Sequence, residues 1–196
     1  MSEDVEDEAS APPEAFVRVR TISNLTSFKR HLLRMFDQGQ PGYPDAYDAD
    51  DDPWNLWPEM VPDFVEDWRP IRARKCGSRR PVIAVVLTFS MPAGTDVVVN
   101  EAAVLAVIRR EFVGRDQIWV AGEHEGPFVK LLVAYRDEDG RPLSPGPADL
   151  RRYRKTYASE LEARGVVAVA TARRSRGLKF GEGRDAYKER LRSSES

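Results

Sequence analysis

The sequence predicts an α+β domain: an antiparallel-rich sheet with helices packed on one face. Three observations predict it. Pro81 to Phe89 is a nearly continuous run of Val, Ile, Ala and Leu, the pattern of a buried strand. Gln117 to Ala121 and Phe128 to Tyr135 are two further apolar runs, with Glu125-Gly126-Pro127 as a tight connection into the second. Asn100 to Phe112 and Ala148 to Arg164 have helical character. Strand, helix, strand pair, helix and a short last strand, Val166 to Ala170, make a sheet with its helices on one side.

The elements follow in order. Residues 1–15 read as a disordered acidic tail, since residues 1–14 hold six acids, two prolines and no base. Residues 16–80 carry an N-terminal helix, an acidic Trp-rich insert and a basic connector. Leu25, Phe28, Leu32, Leu33, Met35 and Phe36 recur near helical spacing with Lys29, Arg30 and Arg34 between them, which predicts a helix from about Asn24 to Asp37. Gly39, Pro41, Gly42 and Pro44 end it. In 45–68, Asp45, Asp48, Asp50, Asp51 and Asp52 precede Trp54, Trp57, Phe64 and Trp68. Such a segment docks on a partner, folds back over a basic surface, or covers an edge of the core with its aromatics. Residues 69–80 hold six bases and no acid, and read as a solvated connector or a phosphate-facing arm.

Residues 81–180 form the α+β domain. In its first helix Ala103, Val104, Val107, Ile108 and Phe112 share one side, and Asn100 is the candidate cap. Asp137-Glu138-Asp139-Gly140 reads as a turn. In the second helix Asp149 stands near the start and Gly165 stops the end. Residues 181–196 are a polar C-terminal tail.

Composition narrows the function classes. No apolar run approaches the roughly 18 residues of a membrane span, so no membrane partner is expected. The acidic N-terminus is not a signal peptide. Cys76 is the single cysteine, which excludes an internal disulfide and a multi-cysteine zinc site. These features fit a cytoplasmic protein. The net charge of −2 conceals a split. Residues 1–68 hold 16 acids against 5 bases, a net of −11, and residues 69–196 hold 25 bases against 16 acids, a net of +9. That asymmetry suits a polyanion-binding body with an acidic arm, or an ordinary domain with a solubilising tail.

Several motifs stand in a particular order. Phe89-Ser90-Met91-Pro92-Ala93-Gly94-Thr95-Asp96 comes first. Trp119-Val120-Ala121-Gly122-Glu123-His124 follows, and then Phe128-Val129-Lys130-Leu131-Leu132-Val133. Arg154-Lys155-Thr156-Tyr157-Ala158 precedes Arg164-Gly165-Val166 and Ala170-Thr171-Ala172-Arg173-Arg174-Ser175-Arg176-Gly177. From Pro81 to Leu178, about half the chain, this order resembles the MobA/VirD-type relaxases, nucleases that nick plasmid or T-DNA at a transfer origin. The resemblance implies a relaxase-like fold. It also implies a metal site of one lone His and a His-hydrophobic-His strand. Here His124 fills the lone position, while Phe128 and Lys130 stand at the paired ones. One imidazole falls short of the three or more protein ligands such ions take, so no cofactor is assigned. A divalent ion, Mg²⁺ or Mn²⁺, held by His124 with Glu123 or Glu125 is the alternative. Lys130 would place its ammonium where the metal's charge was and hold a DNA phosphate, or else snorkel at the sheet edge.

The family's nucleophilic tyrosine lies on the N-terminal helix, where this chain offers Phe28 and Phe36. A phenyl ring has no oxygen to attack phosphorus. Tyr43 and Tyr47 are the nearest alternatives, so no catalytic residue is assigned. Binding residues are better kept. Arg151 and Arg154 share a helix face at i,i+3, and Arg173, Arg174 and Arg176 match the family's Arg-rich ending. The expectation is a relaxase-like DNA-binding protein of conjugative or mobilisation DNA processing, without nicking activity. Its expected partner is single-stranded or origin DNA, with a relaxase or other transfer protein engaged through the acidic Trp-rich segment. An active divergent nickase and a protein-interaction module built on the acidic arm are the alternatives.

Overall fold

The computed structural model describes residues 14–38, 45–47, 53–55, 57–72, 82–123, 126–137 and 139–170. Their elements run β1 (Phe16–Ile22), α1 (Leu25–Gln38), β2 (Asp45–Tyr47), β3 (Pro53–Asn55), a short 3-10 turn (Pro58–Met60), α2 (Val61–Arg72), β4 (Ala84–Ser90), α3 (Val97–Glu111), β5 (Gln117–Glu123), β6 (Pro127–Ala134) and α4 (Pro147–Glu162). The described strands make one antiparallel sheet in the order β1-β4-β6-β5-β2-β3. The fold is α+β. A strand's side chains alternate between faces, and here each face has its own core.

On one face Val17, Val85, Leu87, Phe89, Val129, Leu131, Val133 and Trp119 meet α3 and α4 through Val104, Ile108, Phe112, Tyr153, Tyr157 and Leu161. Phe89 and Tyr157 pack edge to face at 5.4 Å, and Phe112 lies 5.3 Å from Tyr153. These are the two helices expected on one side of the sheet. The other face is covered as well. Ile22, Ala84, Val86, Leu132, Ala134, Ile118 and Val120 pack against Phe28, Leu32 and Met35 of α1 and Val61, Val65 and Trp68 of α2. The expectation of helices on one face therefore holds for α3 and α4 only. The continuous apolar character of β4 and β6 is what two covered faces demand.

Local chemistry sets the helix ends. Asn24 caps α1, its Oδ1 accepting from the Ser27 N–H at 2.8 Å. At α3 the cap is Asp96, whose carboxylate accepts from Val98 N–H at 2.7 Å and Val99 N–H at 3.4 Å. The expected cap, Asn100, instead lies a turn inside the helix, fully buried, and accepts a short hydrogen bond from the Tyr157 hydroxyl. The Val97-Val98-Val99 run conceals that earlier start, because β-branched residues suggest strand. Asp149 closes the start of α4 by accepting from Gly146 N–H at 2.8 Å. Gly165, at φ +82°, provides the left-handed stop. The expected strand at 166–170 reduces to one parallel bridge, Glu14 with Val169, tied by Ala15 N–H to Val169 carbonyl at 3.1 Å.

The β5–β6 hairpin is pinned by Gly126. A Cβ there would stand 2.4 Å from the Met91 carbonyl oxygen, so only glycine lets the hairpin approach the segment after β4. Arg115 ties the far end of the hairpin, reaching the carbonyls of Ala134, Tyr135 and Arg141 and the Asp137 carboxylate at 3.3 Å.

Candidate nucleic-acid interface

Among the described residues, the core on the α1/α2 face of the sheet occupies part of the strand length. It ends at Val86 on β4 and Leu132 on β6, and reaches one row further on β5, to Val120. Beyond that line the strand register lays down two further rows of side chains. Arg18, Thr88, Lys130 and Val120 are successive partners across β1, β4, β6 and β5. Phe16, Ser90, Phe128 and Gly122 form the next row. Thr88, Ser90, Phe128 and Lys130 are all half-buried, and neither Phe16 nor Phe128 belongs to either core. With strands about 4.8 Å apart, the Cα atoms of Arg18 and Lys130 are roughly 10 Å apart. The rows thus combine two cations, two hydroxyls and two phenyl rings.

Helix α1 borders these rows and adds to them. Phe28, Leu32 and Met35 point inward, which puts His31 and Arg34 on the flank of the buried stripe. Alternation along β1 places Arg20 on the same face as Ile22, and alternation along β6 places Lys130 on the same face as Leu132. Arg20, His31, Arg34 and Lys130 therefore converge from three elements. Burial pushes the Lys130 ammonium below its ordinary range, and the Arg34 charge pushes it further. Burial also lowers His31, followed by the positive charges of Lys130, Arg20 and Arg34. Among the described residues every charge that shifts His31 is positive. Lys130 lies 5.7 Å from the Phe128 ring centroid, within cation–π range.

The residues expected at the site are placed as follows. Lys130 is on β6, a central strand, so it does not stand at a sheet edge. Arg151 and Arg154 are on α4, across the sheet from Lys130. Arg151 is exposed. Arg154 is half-buried and donates to the Val17 carbonyl at 3.3 Å, which fastens α4 to the outer edge of β1. Neither joins Lys130 on one surface. His124, Arg173, Arg174 and Arg176 lie outside the described residues, as do Tyr43 and Glu125. Arg20, His31 and Arg34 were not singled out in the sequence. The signal for Arg20 was the alternation Val17, Arg18, Val19, Arg20 in β1. His31 and Arg34 carry only the i,i+3 spacing.

The expected metal site does not assemble from what is described. No three of His, Cys, Asp and Glu come together among the described residues. Phe128 offers no metal donor, and the candidate ligands His124 and Glu125 lie outside the described residues. Phe28 is fully buried, with its ring 5.2 Å from Trp68 and 6.3 Å from Phe64. Trp68 and Phe64 thus belong to a core, while Trp57 is 47% exposed. No described helix is long and apolar enough to cross a membrane.

No protein-family model matches the chain, and no curated protein matches it. A solved structure from work on the molecular basis of vancomycin resistance transfer in Staphylococcus aureus shares the fold. Its TM-score is 0.56 at 12% identity, over 81% of this chain and 99% of that one. At that identity the likeness concerns the fold.

Proposed function

We propose that this chain is a relaxase-like DNA-binding protein of conjugative or mobilisation DNA processing, which holds single-stranded DNA without cutting it. The observation that carries the reading is the end of the α1/α2 sheet face beyond the described core, where cations and phenyl rings share two adjacent strand rows. Single strands are bound by a positive track for the backbone and by aromatic rings on which bases stack. Arg18, Arg20, Arg34 and Lys130 supply the track, and Phe16 and Phe128 supply rings on the next row. Thr88 and Ser90 add hydroxyls between them. The fold shared with a protein from work on resistance transfer supports the transfer setting.

The chemistry of the residues argues for holding. A lysine and a phenylalanine stand where the resembled family has paired imidazoles. Phe28, on the helix that would carry a nucleophile, has neither an oxygen nor solvent access. Lys130 substitutes a fixed positive charge for the metal's, which retains attraction for a phosphate and loses the polarised water or oxygen that cleavage needs. Arg173, Arg174 and Arg176 add positive charge in this reading, and the exposed Arg151 does so from α4.

A fluorescent single-stranded oligonucleotide titrated with the full chain, with and without Mn²⁺, tests the proposal when the product is run on a denaturing gel. Binding that weakens with salt and leaves the strand intact is the expected result. A metal-dependent nick, lost in His124→Ala, would replace it with the divergent-nickase reading. No binding at low salt would overturn DNA as the ligand.

A further inference from the structure

We propose that the outer face of α3 pairs with the same face of a second copy of this chain, antiparallel and about a two-fold axis. The inference is independent of the DNA-binding reading above.

Helix α3 is apolar on both sides. Its inner side, with Ala103, Val104, Val107 and Ile108, is part of the core. On the opposite side Val98, Ala102, Leu105 and Arg109 follow one another at spacings of four, three and four, which sets them in one stripe along the helix. A helix that is apolar on both sides is normally covered on both. Here Val98 is 71% exposed, and Val113, just past the helix end, is 76% exposed. Ala102 and Leu105 are half-buried, while Arg109 and the neighbouring Arg110 are exposed. Neither Val98 nor Val113 belongs to a core.

Size and charge along the stripe say what covers it. In an antiparallel pair, setting Leu105 level with Ala102 of the second copy puts a large side chain against a small one, and the two-fold axis repeats the contact. The same register sets Val98 level with Arg109 of the second copy, whose aliphatic stem covers it. It also brings Arg110 within one residue's rise, about 1.5 Å along the axis, of the level of Asp96. Asp96 accepts both of its cap hydrogen bonds, from the Val98 and Val99 N–H groups, through Oδ1, which leaves Oδ2 for an outside donor. Arg109 and Arg110 enter none of the described ion pairs. An acid at the start of a helix and bases at its end are complementary to the same helix running the other way, and opposed helix dipoles favour that direction too. The contact is small. A helix of 15 residues is about 22 Å long, and one face of it falls short of the roughly 800 Å² that each partner brings to a standard interface. Pairing is therefore weak and reversible, with dissociation at about 10–100 μM. Helices α3 and α4 lie across the sheet from α1 and α2, so the two copies meet back to back and the α1/α2 face of each is turned outward.

Sedimentation velocity of the full chain, from about 1 to about 300 μM and at about 0.1 M salt, tests the proposal. The wild type should run as a monomer at the dilute end and move towards a dimer, with no larger species, at the concentrated end. Val98→Lys sets a cation against Arg109 of the second copy, and Arg110→Glu sets an acid against Asp96. The two-fold axis makes each change act twice, so each should weaken pairing by about tenfold or more. The two substitutions move the net charge in opposite directions, so an effect of net charge alone would shift them apart, whereas loss of this contact weakens both. Both positions are exposed, and a thermal melt like that of the wild type confirms that each variant is folded. A monomer at every concentration, assembly that continues past the dimer, or folded Val98→Lys and Arg110→Glu proteins that pair as the wild type does would each overturn the proposal. DNA binding, measured by the titration above, stands or falls separately.

Discussion

Replacing Lys130 by methionine removes one charge and leaves most of the side chain in place. The stem is half-buried beside the Phe128 ring, and methionine fills a similar volume with an unbranched apolar chain. If single-stranded DNA lies across the sheet, its affinity responds to salt through the number of phosphates neutralised, with a logarithmic slope of about −0.7 per contact. At an alkaline pH, with His31 neutral, the described cations at the site are Arg18, Arg20, Arg34 and Lys130. Four contacts give a slope of about −2.8, so raising salt from about 50 to about 200 mM should weaken binding about 50-fold. With three contacts the slope is about −2.1 and the loss about 18-fold. Further contacts from outside the described residues would steepen both lines and leave their difference of about 0.7 unchanged. Fluorescence anisotropy across a salt series measures each slope, and a thermal melt checks that the variant is folded. A folded Lys130→Met protein with the wild-type slope would remove Lys130 from the interface and the reasoning with it.

Other outcomes follow from the same structure. Phe28→Ala should cost about 3–5 kcal/mol in urea denaturation, because it empties a fully buried site between Phe64 and Trp68; a loss under about 1 kcal/mol would mean that α1 and α2 do not share a core. Tyr157→Phe should cost about 1–3 kcal/mol, since Asn100 then keeps neither its Tyr157 bond nor a partner for Nδ2, which already has none. An unchanged midpoint would show that water reaches Asn100. In the free protein His31 is held below its ordinary value, so the unfolded chain binds more protons across that interval and stability rises with pH. Its contribution is complete above the unfolded value and is lost as pH falls through the interval. His31→Gln should therefore lose less stability than the wild type between about pH 7.5 and about pH 5.5; equal losses would contradict this.

The α3/α4 half of the fold was legible because its signals are local and periodic. Strands β4 and β6 announce themselves as unbroken apolar runs, and α4 has an acid at its start and a glycine past its end. Strand β1 was not read, although Val17 and Val19 alternate with Arg18 and Arg20. Its apolar side chains meet a core built from residues far along the chain. Helix α2 was hidden by the acids and tryptophans that made 45–68 look like an insert. Its Trp68 becomes core only when Phe28 is brought to it by tertiary folding. Of the cations that the structure brings over this face, Lys130 was the one singled out in the sequence. Arg20, His31 and Arg34 are unremarkable charges until the register of β1 and the packing of α1 bring them over the same face. Arg154 shows the converse: it reads as a surface cation and in the structure is occupied with the Val17 carbonyl.

The last contacts described at the edge of β1 have a consequence for how the chain assembles. Arg154 bonds Val17 across 137 positions, and Ala15 bonds Val169. The residues of β1 are therefore secured by residues that are made 137 positions later or more. Closing so large a loop costs entropy before any contact rewards it, and synthesis at about 5–20 residues per second keeps β1 without these fastenings for many seconds. Through that interval β1 can pair with β4, once β4 has been made, and pack Ile22 against α1 and α2. These fastenings can form only once Arg154 of α4 and Val169 beyond it have been made. Destabilising that late fastening should act mainly on the rate of unfolding, since contacts formed after the transition state leave the folding rate little changed.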